Sequence, residues 1–477
     1  MLTRDEFQNL YDQGPDALWQ VFAALHEQIA AVALRQKELE VRLGKDSHNS
    51  SKPPSSDGLG KKPAPRSLRA KTGRKQGGQK GHPGTTLAFS ETPDHTVPHI
   101  PTCCQGCGAS LEGAEVIGEQ RRQVVDLPPL RLEVTEHVAQ TRRCECGLTT
   151  TADFPEGVSE PISYGPRLKG HGVYLRDYQL LPFARCTQML FDLFGATFCK
   201  ATLARSLTEC YTRLEPVTET IKKALIASPV LNCDETGMRV EGKLHWVHSV
   251  STTTLTYYTC HANRGKKGSD AAGVLSAYQG TAVHDAWRSY GQYSCHHSLC
   301  NAHHLRELIP FAEDGAVWAK DMITLLVEIK TAVERAQSQE RELLPPLLEA
   351  RFEARYQTLL EQGYQANPPP KAPAKGKRGR PKQTPARNLL LRLDTNRKQV
   401  LAFMYDFAIP FDNNLAERDL RMIKLRQKIS GGFRTLTGAQ VFCRVRGYIS
   451  TLRKQGKNIL AALESLFRGS PEPIALG

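Results

Sequence analysis

The sequence predicts a multidomain α+β chain, and three observations carry that expectation. A strict four-three apolar spacing marks one long helix near the N-terminus. Two cysteine pairs bracket an alternating apolar run. Later, short apolar runs end on acids between helical stretches. The chain has 477 residues, 40% of them hydrophobic and 23% charged, which suits about three domains and excludes global disorder. It holds no run of about 18 uninterrupted apolar residues, which argues against a membrane span. The start, Met1-Leu2-Thr3-Arg4-Asp5-Glu6, lacks the layout of a signal peptide. Thirteen cysteines without an export signal suggest a reducing, cytoplasmic setting, where cysteine pairs are more often metal ligands than disulfides. The net charge of +14 points to a polyanion partner, most simply nucleic acid.

The first expected unit, residues 1–46, is a coiled-coil helix. Leu18, Phe22, Leu25, Ile29, Val32, Gln36, Leu39 and Leu43 form an a/d seam of nearly four heptads. Self-association through residues 18–43, at least as a dimer, follows, with polar Gln36 able to fix register. Residues 47–94 read as a disordered basic linker. Between Lys52 and Lys80 lie nine Lys/Arg and one acid, Asp57, amid Pro, Gly and Ser. Lys61, Lys62, Arg74, Lys75 and Lys80 are candidates for phosphate contact by counterion release.

Residues 95–155 carry a zinc-ribbon pattern. Cys104-Gln105-Gly106-Cys107-Gly108 is a C-x2-C-G knuckle and Cys144-Glu145-Cys146-Gly147 a shorter second one. Gln123 to His137 alternates as strands do, so a hairpin is expected between the pairs. Four thiolates, Cys104, Cys107, Cys144 and Cys146, would close one structural Zn2+ with no open position for water. Cys103 could replace Cys104. Residues 160–226 then read as helices with a helix-turn-helix look around Gly195, a look that many helical pairs share without touching DNA.

The remainder, residues 227–467, alternates strand and helix, with 468–477 left as a tail. The run Leu231-Asn232-Cys233-Asp234 ends on an acid. Two strand-like runs, His245 to Val250 and Leu255 to Cys260, follow, then a helical stretch from Ser269 to Tyr278. Thr281 to Asp285 is another buried strand ending on an acid. Three strands, a helix and a strand with a terminal Asp is the order of a ribonuclease-H-like α/β core. Glu417 lies in the first turns of a later basic helix, with Asp412 suited to cap it. Carboxylates in these settings suit two Mg2+ (or Mn2+) ions, which stabilise the entering and leaving oxygens of a phosphodiester. Asp234 could bridge both ions, with Asp285 and Glu417 each holding one.

At this point the sequence resembles a family. Asn49 to Gly58, Gly77 to His82, the cysteine ribbon, Asp234-Glu235-Thr236 and Asp412-Asn413-Asn414-Leu415-Ala416-Glu417-Arg418 look like bacterial transposases of the insertion sequence 66 family, in the expected order. The resemblance implies a DDE transposase acting on DNA in the bacterial cytoplasm at the nucleoid, with accessory proteins of the same element as further partners. By motif position it assigns the catalytic acids to Asp234, Asp285 and Glu417. Trp287 stands where Asp-x-Tyr would be usual, and the C-x-C pair is one residue short.

The last two acids are 132 residues apart, so an α-helical insertion, about 312–395, interrupts the core. It ends in a basic loop containing Arg378-Gly379-Arg380-Pro381. Arg378 and Arg380 have the spacing of a minor-groove hook, although a solvated basic loop is the simpler reading. Cys300-Asn301-Ala302-His303 with Cys295 reads as packing or DNA positioning ahead of metal binding. After Glu417, Arg418, Arg421, Lys424, Arg426, Lys428 and Arg434 would neutralise approaching phosphates. The chain is thus expected to bind the ends of an insertion sequence, hydrolyse phosphodiester bonds and transfer a 3′-hydroxyl into target DNA. It needs no nucleotide, and it has no G-x4-G-K-[ST] loop. A nuclease that cuts without joining, or a zinc-ribbon regulator with an inert core, are the alternatives.

Overall fold

The computed structural model describes residues 4–43, 87–128, 130–155, 157–370 and 383–476. Lys61, Lys62, Arg74, Lys75, Lys80, Arg378 and Arg380 lie outside them. The chain opens with α1 (Arg4–Asp12) packed on α2 (Pro15–Leu43). Pro15 at the first helical position and Asp16 in the first turn suit a helix start. The expected seam runs along α2 and faces solvent: Phe22, Leu25, Ile29, Val32 and Leu39 are all exposed.

The cysteine-rich module departs from expectation. No strand forms between Gln123 and His137. The strands are β1 (Thr141–Arg143) and β2 (Thr149–Thr151), an antiparallel pair around the second cysteine knuckle. Alternation stabilises a strand only when one face is buried. Here Val124, Leu127 and Val134 are exposed, and no described residue from 87 to 155 is buried.

Four helices follow: α3 (Pro166–Val173), α4 (Phe183–Phe194), α5 (Lys200–Arg213) and α6 (Glu215–Ala227). They lead into β3 (Val230–Val240), β4 (Lys243–Ser251), β5 (Thr256–His261), α7 (Lys266–Ala272), β6 (Thr281–His284) and β7 (His296–Leu299). The expected helix from Ser269 to Tyr278 starts earlier and stops at Gly273, whose left-handed φ of 68° terminates it. The five strands form a mixed sheet in the order β5-β4-β3-β6-β7, antiparallel through β5, β4 and β3 and parallel through β3, β6 and β7.

The helical insertion comprises α8 (Asn301–Glu313), α9 (Val317–Ser338), α10 (Pro346–Ala366), α11 (Pro385–Thr395) and the short α12 (Arg397–Val400) and α13 (Ala402–Tyr405). It is longer at both ends than expected, and its core, built around Trp318, Met322, Leu326, Tyr356 and Leu390, continues onto Val283 of β6 and Leu299 of β7. The chain ends with α14 (Asn414–Ser430), α15 (Leu436–Lys454) and α16 (Ile459–Phe467).

The two faces of β3 meet different helices. Leu231 and Cys233 pack with Ile221 and Leu225 of α6. Met238 and Val240 pack with Leu420 and Ile423 of α14 and Phe442 of α15. The helices α3 to α5 share a core with α15 and α16, through Val173, Leu190, Leu203, Val445 and Leu463. The expected boundary between a 160–226 segment and the 227–467 core therefore does not separate two cores. Gly170 makes one such contact possible: a Cβ there would stand 3.3 Å from the Glu464 backbone nitrogen.

Leu390 is fully buried and lies against the bare backbone of Gly363. Leu390→Ala should cost ~2–5 kcal/mol, read as a lower urea midpoint with little change in slope.

Candidate active site

Sheet register sets two carboxylates side by side. β3 pairs in parallel with β6 as far as Asn232 against Val283. Two residues further along each chain stand Asp234 and Asp285. Asp285 follows β6 directly, as expected. Asp234 lies inside β3 rather than at its end, because β3 runs on as a hairpin with β4 to Val240. It is nonetheless where the parallel pairing stops, the usual crevice of such sheets. Strand alternation turns Asp234 to the same face as Met238 and Val240, the face that α14 covers.

A third carboxylate comes from α14, whose first turn holds Glu417. Asp412, expected as the cap, lies one residue ahead of the actual N-cap Asn413; its Oδ1 accepts from the Asn414 N–H at 3.0 Å in the turn that leads into the helix. Asn413 then fastens the helix to the sheet. Its Nδ2 donates to the Cys233 carbonyl at 2.8 Å, and its Oδ1 accepts from Asn232 Nδ2 at 2.9 Å. Its backbone N–H donates to Cys300 Sγ at 3.1 Å. All of this is buried.

The electrostatics are unfavourable without a cation. Burial, then the charges of Glu235, Asp285 and Glu417, hold the Asp234 carboxyl well above the usual carboxylate range, although the Glu235 N–H donates to it at 2.8 Å. Glu235 points to the opposite face and is better compensated. Arg264 Nε donates to it at 2.9 Å and Tyr290 Oη at 2.5 Å. Burial and Asp285 still raise it. Arg264 is itself held between Trp287 and Trp246, with ring centroids 3.8 and 4.7 Å away. Glu417 has Arg306 at 3.6 Å and His303 Nε2 at 3.9 Å.

Asp285 sits on a constrained turn. Its Oδ1 accepts from the Trp287 N–H at 2.9 Å, and Ala286 adopts a left-handed φ of 66°, costly for a residue with a Cβ. A histidine relay supports the turn. The Ala286 N–H donates to His284 Nδ1, so His284 carries its proton on Nε2 and donates it to His297 Nδ1 at 3.0 Å. His297 Nε2 in turn donates to the Tyr293 carbonyl. Burial and His297 push the His284 pKa down to about 3, which keeps His284 neutral.

Sequence reasoning passed over Glu235, Arg264, Tyr290 and Arg306. The signal for Glu235 was the Asp-Glu pair itself: in a strand, adjacent acids face opposite ways, and the inward one requires a buried partner. One basic assignment needs correction. Arg426 is buried, stacks on Phe433 with 3.3 Å to the ring centroid, and donates to the Gly431 carbonyl. Its charge acts on buried Asp177, so it cannot meet a phosphate. Lys424 is half-buried and donates to the Gly237 carbonyl at 3.1 Å. Arg418, Arg421, Lys428 and Arg434 are exposed.

The ribbon cysteines form two halves. Hydrogen bonds from Cys107 and Gly106 lower the Cys104 thiol, and hydrogen bonds from Cys146 lower Cys144. Gly108 and Gly147 follow with φ of 79° and 88°, the tight turn each knuckle requires. Each half is thus shaped to present thiolates. Among the described residues, however, the four cysteines do not converge within ligand distance; Cys300, His303 and Glu417 do.

The raised pKa of Asp234 has a stability consequence with a definite sign. The folded state holds that proton more tightly than the unfolded state, so stability falls as pH rises from about 3.8 through the folded value. Asp234→Asn should therefore stabilise the metal-free protein near neutral pH, read as a higher denaturant midpoint. The gain should close as pH falls below the unfolded value. Denaturant titrations at both pH values check this.

Three family models match the chain. Residues 161–441 match the transposase IS66 family. Residues 101–147 match the zinc-finger binding domain of IS66 transposases, which spans all four ribbon cysteines and supports structural zinc. Residues 3–88 match a family of unknown function. No curated protein matches. No helix among the described residues is long and apolar enough to cross a membrane. The transposase-family match covers more than half of the chain, and with the zinc-finger match it establishes that this protein belongs to the IS66 transposase family.

Proposed function

We propose that the chain is a DDE transposase that nicks the ends of an insertion sequence and joins the freed 3′-hydroxyl to target DNA. One observation carries the reading: Asp234 on β3 and Asp285 just past β6 each stand two residues beyond the last parallel pair, and Asp234 feels the charges of both Asp285 and Glu417. Burying like charges together is costly, and a polycation site is the simplest reason to do so. The order β5-β4-β3-β6-β7, with acids where parallel pairing ends, supports a ribonuclease-H-like core.

Asp234, Asp285 and Glu417 would hold two Mg2+ or Mn2+ ions, which would supply charge stabilisation at the attacking and leaving oxygens. The chain's own part is to hold and orient. Asp234 would do so while feeling the charges of both other acids. Arg418, Arg421, Lys428 and Arg434 are free to meet backbone phosphates. Half-exposed Trp287, backed by Arg264, offers a stacking surface for an unpaired base. In the cysteine-rich module, Cys104, Cys107, Cys144 and Cys146 would be drawn together by Zn2+, whose binding energy would supply the folding drive that the absent core does not.

Replacing Asp234, Asp285 or Glu417 with Ala should reduce cleavage and strand transfer on the order of 10³-fold while binding of element ends persists. Wild-type cleavage by Asp285→Ala in Mg2+ sinks the assignment.

The solvent-facing seam of α2 supports self-association as a coiled-coil dimer, a state suited to holding two DNA ends. Ile29→Asp with Val32→Asp should convert a dimer to a monomer in analytical ultracentrifugation without altering the zinc content. An unchanged sedimentation coefficient would reject the seam.

A further inference from the structure

We infer that Cys300, His303 and Glu417 form a site for a soft divalent ion of the Zn2+ class, distinct from the cysteine ribbon. One ligand atom from each lies within 4.8 Å of the others, the sole such group of three among the described residues. Two elements build it. Cys300 is the N-cap of α8 and His303 lies one turn on, so both share a helix face. Glu417 arrives from the first turn of α14, with His303 Nε2 3.9 Å from its Oε1. A small contraction would bring these ligands to the separations of a tetrahedral ion.

The unsatisfied atoms are in the right place. Glu417 Oε1 and His303 Nδ1 are shielded from water and have no hydrogen-bond partner, which native proteins seldom tolerate without a reason. Ion binding through His303 and Glu417 would satisfy the first of these, and would leave the other histidine nitrogen as a donor. The donor set also selects the metal. A thiolate, an imidazole and a carboxylate suit Zn2+, whereas Mg2+ prefers oxygen throughout. Three protein ligands leave a fourth position open to water or a phosphate oxygen. On binding, the Cys300 S–H bond breaks and its proton goes to solvent, while the Asn413 N–H already directed at Sγ supports the thiolate.

The site shares Glu417 with the catalytic centre proposed above, and only that sharing rests on the proposed function. The test uses the full-length chain with C104S, C107S, C144S and C146S, so the ribbon contributes no thiolate, and Co2+ as the probe. One equivalent should bind with thiolate-to-cobalt absorption. Adding C300S should abolish the band, and H303Q should weaken binding about tenfold or more with an unchanged circular dichroism spectrum. No band at stoichiometric Co2+, or a band that survives C300S, overturns the site. D234N should leave cobalt binding intact while cleavage is lost; cleavage that survives D234N rejects the catalytic reading alone. E417Q should lose both, and cobalt retained by E417Q overturns the shared ligand.

Discussion

Asn413 joins three segments that are far apart in sequence. Its side chain accepts from Asn232 and donates to the Cys233 carbonyl, and its backbone N–H reaches Cys300. Those contacts are buried, so each must be kept or a desolvated polar group is left unpaired at a cost of ~1–3 kcal/mol. The consequence is geometric. With α14 pinned at its first residue, Glu417 is fixed one turn along. With α8 pinned at its cap, His303 is fixed one turn along that helix. With β3 pinned beside Asp234, the carboxylates converge on one sheet face. Neither the catalytic proposal nor the soft-metal proposal has a geometry apart from this clamp.

The same site is electrostatically uneven, and the unevenness is informative. Glu235 is inside the fold yet has a guanidinium and a phenol directed at it. Asp234, one residue away, has a single backbone N–H, three acids and, of the cations, the charge of half-buried Lys424. Two adjacent carboxylates are thus treated oppositely. The first is a structural ion pair that holds Arg264 between Trp246 and Trp287. The second stays raised by burial and by three acids that Lys424 only partly offsets, the condition in which a bound cation contributes most. Arg306 near Glu417 partly offsets those acids from the helix side, at a distance that leaves the carboxylate available.

What could be read in the sequence follows from which forces are local. Short apolar runs ending on acids put Asp234 and Asp285 on or beside strands, because strand geometry is set by neighbouring residues, although β3 runs on past Asp234. The onset of an amphipathic basic helix located Glu417 for the same reason. Heptad spacing located α2. The failures all involve remote partners. Arg426 reads as a phosphate ligand until Asp177 and Phe433, supplied by distant segments, surround it. The helices α3 to α5 read as a separate module until α15 and α16 complete their core. Gln123 to His137 reads as a hairpin because its alternation is regular, but the module has no buried face to reward that pattern. Arg264 and Tyr290 were invisible as Glu235 partners because nothing in their spacing refers to it.

The long separation between Asp285 and Glu417 is tolerable for a physical reason. Closing a loop grows only logarithmically more costly with its length, about 0.6 kcal/mol for each doubling. The 132-residue separation therefore adds little over a shorter one, provided the inserted chain pays its own ordering entropy. It does so through large buried side chains, among them Trp318, Tyr356 and Phe403, whose core continues onto Val283 and Leu299 of the sheet. The insertion is also held where it enters and leaves. Asn301 Nδ2 donates to the Val400 carbonyl, and the Asn301 N–H donates to the Phe411 carbonyl. One residue, next to Cys300, thus brings the end of the insertion back beside its start. The helical block behaves as a rigid spacer with adjacent ends, so it can be large without loosening the carboxylates on either side of it.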